Sequence, residues 1–192
     1  MTTKRNKLIA AIKKIEDAIT DAKIGLPDEI FFMITRLTPM VNVDLLIKDN
    51  LSNTLLAWRE IDSSGAGWHI PGGIIRYKED IEDRIKQVAL REIGTVLGYD
   101  PIPIAINQVM QKKDTRGHFI SILYKCFWPM KKTIDNKKIK ENKNGFLKWH
   151  KKCPKNLVKV HKLLYTKFFE NETLDYFQNR IPVSRFNSGN SL

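Results

Sequence analysis

The segment Trp68-His69-Ile70-Pro71-Gly72-Gly73 constrains this chain more than any other. A short apolar strand runs into a corner built from residues that let the backbone turn tightly and approach a ligand or ion. Downstream, Ile81, Ile85, Val88 and Ala89 share one face of a helix spanning about residues 80–93, with Gly94 or Gly98 as its stop. Glu79 lies in the intervening loop and Glu92 near the helix end. Together these pieces make a sensible diphosphate site, because a carboxylate beside a glycine corner can hold the hard cation that neutralises phosphate oxygens. The same residues also fit a plain Gly-Gly turn followed by an ordinary helix, since both are common.

The flanking chain supplies helices and strands in mixed order. Leu8, Ile12, Ile15 and Ile19 predict an amphipathic helix ending near Gly25, with an apolar stripe that needs a partner. Pro27, Asp28 and Glu29 predict a short second helix reaching about Arg36. Residues 40–47 and 54–58 read as a hairpin around Asp49-Asn50, residues 62–67 as a loop, and residues 102–110 and 119–128 as strands able to pair as neighbours. Residues 146–149 read as a short strand, and residues 157–169 as a helix with Val160, Leu163, Leu164 and Phe168 inward. With 192 residues and 42% hydrophobic content, one domain is expected over residues 26–183, preceded by a helical extension over 1–25 and followed by a flexible, frayed tail over 184–192.

A formal charge of +12 admits nucleic acid, a membrane surface or an anionic small substrate as partner. Much of it lies in Lys131, Lys132, Lys137, Lys138, Lys140, Lys143, Lys148, Lys151 and Lys152, interleaved with Asn and without the aromatic spacing of a base-stacking surface. That run reads as a solvated loop, and nucleic acid as an unexpected partner. No stretch reaches the roughly 18 apolar residues of a membrane span, and the N-terminus is not signal-like, so a soluble, unprocessed, cytoplasmic chain is expected. Cys126 and Cys153 are isolated, which supports neither a zinc site nor a disulfide framework.

Counted from Gly73, residues Glu79, Glu92 and Gly94 fall in register with the Nudix signature: Gly, five residues, Glu, seven residues, Arg-Glu, an aliphatic, any residue, Glu-Glu, any residue, Gly. Gln87, Val88 and Arg91 stand where the signature has Arg, Glu and Glu. The chain thus resembles the Nudix hydrolase superfamily, with the multi-carboxylate metal cluster reduced to one core ligand. It is similar in particular to the GDP-mannose mannosyl hydrolase-like branch, which also keeps Pro-Gly-Gly, the first Glu and the last Glu. Leu26, Glu29, Phe31, Arg36, Thr38-Pro39, Val41, Asp44, Leu55-Leu56, Arg59 and the stretch from Trp68 to Gly73 fall at that branch's spacing. His118 and Trp149 also find counterparts, so the likeness covers roughly residues 26–150.

The resemblance implies a Nudix α/β/α sandwich with a mixed β-sheet, to which the N-terminal helix is an addition. It implies that the Gly72 carbonyl and Glu92 bind Mg²⁺, that Arg59 and Gly73 contact a nucleotide sugar, and that water attacks the anomeric carbon while Mg²⁺ stabilises the departing nucleoside diphosphate. Arginine suits a diphosphate because its planar fork pairs with phosphate oxygens, although a surface ion pair is the ordinary role of a lone strand Arg. Asp44 faces the sugar or stands on an edge strand in solvent. Phe31 lies against the base or in the core. Glu79, the second candidate catalytic carboxylate, suits holding the loop by hydrogen bonds better than binding metal. The branch also implies a homodimer, for which the stripe of Leu8, Ile12, Ile15 and Ile19 would serve.

The chain departs from the branch at two arginines, replaced by Ile74 and Gln87, and at the general base. Where the branch carries a Gln and a His, this chain reads Glu141-Asn142-Lys143-Asn144-Gly145, and His118, His150 and His161 lie elsewhere. Asp44 or a loop residue is left as the base. Two other readings stand beside sugar release: a Nudix diphosphatase using Glu92 and Glu79, and a Nudix-fold module that binds a nucleotide or RNA without turnover.

Overall fold

The computed structural model describes residues 2–60, 65–111, 117–170 and 183–187. Residues 62–64 of the loop expected at 62–67 and the last five residues of the tail lie outside them.

The centre of the fold is β1 (Met40–Lys48), whose residues 43–47 are buried without interruption. A strand flanked on both faces reads as a continuous apolar run, and the Val-Asp-Leu-Leu-Ile sequence has that character apart from Asp44. Val43, Leu45 and Ile47 face one core with Leu55, Ala57, Ile85, Val88 and Ala89. Leu46 faces the other with Leu56, Leu123, Leu164 and Tyr165. The chain pairs β1 antiparallel with β2 (Thr54–Arg59) and β4 (Gly72–Ile74), and parallel with β7 (His118–Phe127). Outside these, β3 (Gly67–His69) and β8 (Leu147–His150) pair with β2, while β5 (Gly98–Tyr99) and β6 (Ala105–Met110) pair with β7. Helix α3 (Ile81–Val88) packs on one face, and α4 (Lys159–Tyr165) with α5 (Lys167–Glu170) on the other. The result is the expected α/β/α sandwich around a mixed sheet, preceded by α1 (Thr2–Asp17) and α2 (Asp28–Thr35). No helix among the described residues is long and apolar enough to cross a membrane.

Three expectations need correction. Helix α1 stops at Asp17, well short of Gly25, and Leu8, Ile9 and Ile12 on it are exposed. The helix expected over 157–169 is two short helices. Its inward line follows Val160, Leu164 and Phe168 at four-residue steps, so Leu163 turns out 52% exposed while Tyr165 is fully buried. The tail from Ser184 is not frayed throughout, because β9 (Val183–Asn187) pairs parallel with the outer edge of β6, Ser184 opposite Asn107. An open sheet edge presents unpaired N–H and C=O groups that such a segment satisfies. The lysine-rich run, by contrast, is exposed as expected.

On β8, His150 packs edge-on to Trp68 with ring centroids 4.6 Å apart. Burial, reinforced by Lys148, lowers its pKa to about 4. NMR titration should therefore find His150 neutral down to about pH 4. Because the folded value lies below the unfolded one of about 6.5, the stability this confers is present above pH 6.5 and is lost as the pH falls toward 4.

Candidate active site

The Pro-Gly-Gly corner is the rim of β4. The Leu45 N–H donates to the Pro71 carbonyl at 2.8 Å and the Ile75 N–H to the Val41 carbonyl at 2.9 Å. Between these bonded positions, Gly72 stands opposite Asp44 in a non-hydrogen-bonded pair, so its own N–H and C=O point away from β1. Side chains approach closely at such pairs. A Cβ on Gly72 would lie 2.0 Å from Asp44 Oδ1 and 2.9 Å from the Val43 carbonyl oxygen, and one on Gly73 would lie 2.9 Å from Val88 Cγ2. Gly72 thus makes room for the Asp44 carboxyl, and Gly73 lets α3 pack on the corner. Gly72→Ala is expected to cost about 1–3 kcal/mol by overpacking, measured as a shift in urea midpoint; a loss under ~0.5 kcal/mol would contradict the geometry.

Asp44 lies on the central strand, buried, which corrects the alternative of an edge-strand carboxylate in solvent. Its Oδ2 accepts the Ser121 hydroxyl at 2.5 Å and the Tyr165 hydroxyl as well, while the Ser121 and Tyr165 oxygens are themselves 2.5 Å apart. Burial raises its pKa, the two hydroxyls oppose this, and the Glu92 charge adds to the rise. Asp44 therefore holds a proton more tightly than a solvent-exposed aspartate does.

From the corner the chain enters a loop organised by Glu79. Its Oε2 accepts the Arg76 N–H at 2.8 Å, and its two oxygens take Arg84 Nε and Nη2, each at 2.8 Å. Both oxygens are thereby spent on the loop and on the start of α3. Along that helix Arg84, Val88 and Glu92 follow at four-residue steps and line one wall of a cleft. Beyond Val88 the helix widens into a π turn, Ala89–Ile93, that ends on Gly94 with φ +72°. The Thr95 N–H reaches back to the Ala89 carbonyl at 3.4 Å, closing a Schellman-type cap that needs glycine's left-handed conformation. In this turn Ala89 and Ile93 go to the core, while Glu92 stays at the cleft with one oxygen 3.2 Å from His69 Nε2.

The cleft holds about 740 Å³. Asp44, Arg59, Phe31, Gly72, Gly73 and Glu92 all line it, so the fold gathers every expected site residue except Glu79. The segment from Ala22 through Ile34 forms a further wall, tied down where Arg76 Nη1 donates to the Lys23 carbonyl at 3.2 Å. Sequence reasoning missed Arg76, Arg91, His69 and His161. Arg76 and Arg91 line the cleft and restore positive charge that Ile74 and Gln87 withhold. Burial, then the charges of Arg84 and Arg91, push the Arg76 guanidinium below its ordinary value, as expected where cations crowd together. His161 reaches the cleft from α4, with its Nδ1 accepting the Ile70 N–H at 2.9 Å. No local motif flags a contact between residues 91 positions apart. The count from the glycines to Glu92 is the legible signal; the π turn that carries Glu92 is not.

Among the described residues, no group of three or more His, Cys, Asp or Glu side chains is arranged to hold a metal ion. The donors at the corner are oxygens: the Glu92 carboxylate, and the Gly72 carbonyl turned off the sheet. Such a sparse, hard set suits a divalent cation of the kind that keeps several waters and binds through one or two carboxylates plus substrate phosphates.

Comparison with solved structures bears on the fold. The chain matches no family model. Over 69 residues it is 33% identical to the low-salt glycan biosynthesis protein Agl8 of Haloferax volcanii, a match covering 36% of this chain and 44% of that protein. The chain thus spans less than half the length of this curated relative. Among solved structures it is similar to a MutT NUDIX hydrolase from Burkholderia pseudomallei (TM-score 0.51, 15% identity, 66% of this chain and 95% of that one). It is also similar to a possible asymmetric diadenosine tetraphosphate hydrolase from Jonesia denitrificans (TM-score 0.52, 19% identity, 67% and 91%). The chain has the fold of the Nudix hydrolases. Within it the glycine corner and Glu92 line one cleft, and Glu79 lies in the loop between them.

Proposed function

We propose that this protein hydrolyses a nucleotide sugar, releasing the sugar from a nucleoside diphosphate in the manner of a GDP-mannose mannosyl hydrolase-like Nudix enzyme. The observation that carries the reading is the cleft's charge arrangement: a partly exposed carboxylate, Glu92, in a lining that also presents Arg59, Arg76 and Arg91. Such a site holds an anionic leaving group. Among the described residues no group of three His, Cys, Asp or Glu side chains is arranged to activate a water on a metal for attack at phosphorus. The glycan-biosynthesis role in the name of the Haloferax relative supports a sugar-bearing ligand.

In this reading Glu92 and the Gly72 carbonyl hold Mg²⁺, whose chemistry is to offset charge on the departing diphosphate. His69 fixes the Glu92 carboxylate, and Arg59 with Arg76 and Arg91 orients the phosphates. Phe31 and the Ala22-to-Ile34 wall face the nucleoside. Asp44, lining the cleft, takes the proton from the attacking water. The exposed stripe of α1 offers a second copy of the chain a surface, which light scattering would register as a dimer.

Incubation with a panel of nucleotide sugars, GDP-mannose included, with and without Mg²⁺, tests the proposal. Nucleoside diphosphate plus free sugar is expected. Nucleoside monophosphate plus sugar phosphate would shift the reading to a diphosphatase, and binding with no product from any member to a non-catalytic module. Glu92→Gln should lower Mg²⁺-dependent turnover about a hundredfold, equivalent to ~3 kcal/mol of lost charge stabilisation. Unchanged turnover would remove Glu92 from the mechanism.

A further inference from the structure

Helix α4 presents His161 and Tyr165 four residues apart, hence on one face, with ring centroids 5.2 Å apart. That face is pinned to the cleft floor twice: the Tyr165 hydroxyl joins the Asp44 cluster, and His161 Nδ1 accepts the Ile70 N–H. A ring nitrogen that accepts from a backbone amide carries no proton, so the proton of the neutral ring sits on Nε2. His161 is also held neutral: burial, followed by the charges of His69 and Arg59, depresses its pKa well below the ordinary range. A neutral imidazole fixed in this tautomer cannot accept a proton at Nε2. It can only donate one hydrogen bond. Among the described residues no group accepts from Nε2, and the ring, half-buried, lines the cleft.

We infer that His161 is a ligand-anchoring residue whose Nε2–H donates to a phosphate oxygen of the bound molecule, so that the C-terminal helix forms part of the ligand site. The inference rests on the reading of the cleft as a diphosphate site. Phosphate is favoured over a sugar hydroxyl because Arg59 lines the same cleft as the His161 ring, and His69, which bonds Glu92, has its ring centroid 6.2 Å away. An oxygen in reach of a guanidinium and a fixed N–H is best matched by a shared negative charge.

Two substitutions separate ligand binding from packing. Asn at this position places an amide oxygen where Nδ1 stands and can keep the Ile70 bond, but it has no donor at the Nε2 position. Gln places a donor near Nε2 but gives up the Ile70 bond. With the 192-residue chain and inorganic pyrophosphate plus Mg²⁺ as probe, calorimetry should show His161→Asn binding about tenfold or more weakly, and His161→Gln within about threefold of wild type. In ¹⁵N-labelled wild type, pyrophosphate should shift the His161 Nε2–H resonance and slow its exchange, a readout that stands even where a variant folds poorly. Equal binding by wild type and the Asn variant would overturn the proposal. So would equal loss in both variants together with a silent Nε2 resonance, or failure of the wild type to bind pyrophosphate. A defect seen with a nucleotide sugar but not with pyrophosphate would make the acceptor a sugar hydroxyl and overturn the phosphate assignment. Pyrophosphate binding with the expected variant pattern, but no hydrolysis of any nucleotide sugar, would sink the proposed reaction and leave His161 as a phosphate anchor.

Discussion

Asp44→Asn is expected to lower kcat on the responding nucleotide sugar by about 10²–10⁴-fold, with KM changed only a few-fold. The physical reason is the proton balance of its cluster. Asp44 Oδ2, Ser121 Oγ and the Tyr165 hydroxyl oxygen are in mutual contact, which makes three hydrogen-bond positions. The two hydroxyls supply two protons, and a proton taken from water by the carboxyl supplies the third. Burial raises the Asp44 pKa, so the carboxyl is well matched to receiving that proton in the transition state. Asparagine keeps the shape and an acceptor oxygen but cannot take the proton. The acidic limb of the wild-type pH–rate profile should vanish in the variant, a change that a packing defect would not produce. The raised folded value also sets a stability trend of its own: the native state holds its proton more tightly than the unfolded chain. The share of stability due to the neutral carboxyl is therefore present at low pH and declines as the pH rises from about 3.9 through the folded value. A variant with kcat within about threefold of wild type would remove Asp44 from the reaction.

Arg84→Met is expected to cost about 3–5 kcal/mol of stability. Arg84 is nearly inaccessible, with a side-chain exposure of 6%, and it is paired bidentately with Glu79, itself at 14%. Removing the guanidinium leaves a carboxylate that is largely buried and, among the described residues, retains only the Arg76 N–H. The penalty comes from that stranded charge more than from the intrinsic worth of the pair, because desolvation and attraction nearly cancel in a buried ion pair. The double variant Glu79→Leu, Arg84→Met should consequently recover at least half of the loss in urea denaturation. If the single variant loses less than about 1 kcal/mol, the loop is not held by this pair. The same experiment reports on the site, since the Arg76 backbone bonded to Glu79 belongs to the loop that presents the Arg76 side chain to the cleft.

The legible parts of the site were those with a local cause. Gly72 and Gly73 were readable because a strand-to-corner transition needs room, and Glu92 because a fixed count along a helix places it beside that corner. Glu79, also a candidate catalytic carboxylate, is legible as a loop-holding residue from its place between corner and helix, and its bonds to Arg76 and Arg84 are of that kind. Other parts were not readable. Asp44 left open an edge-strand position, and only the parallel pairing of β1 with β7 made it central and put Ser121 beside it. His161 belonged to a helix whose inward face was misjudged by one position, at Leu163. Arg76 and Arg91 carried no signal, because surface arginines look alike in sequence until a cleft forms between them.

The sequence by itself thus determined the corner, the register of its carboxylates and the α/β layering, since each depends on backbone freedom, helical periodicity or strand alternation over a few residues. The tertiary structure decided which distant groups complete the site: Tyr165 and Ser121 under Asp44, His69 on Glu92, and His161 on Ile70. Those contacts join segments separated by 23 to 121 residues. Their existence depends on sheet order and helix docking, which no local pattern encodes.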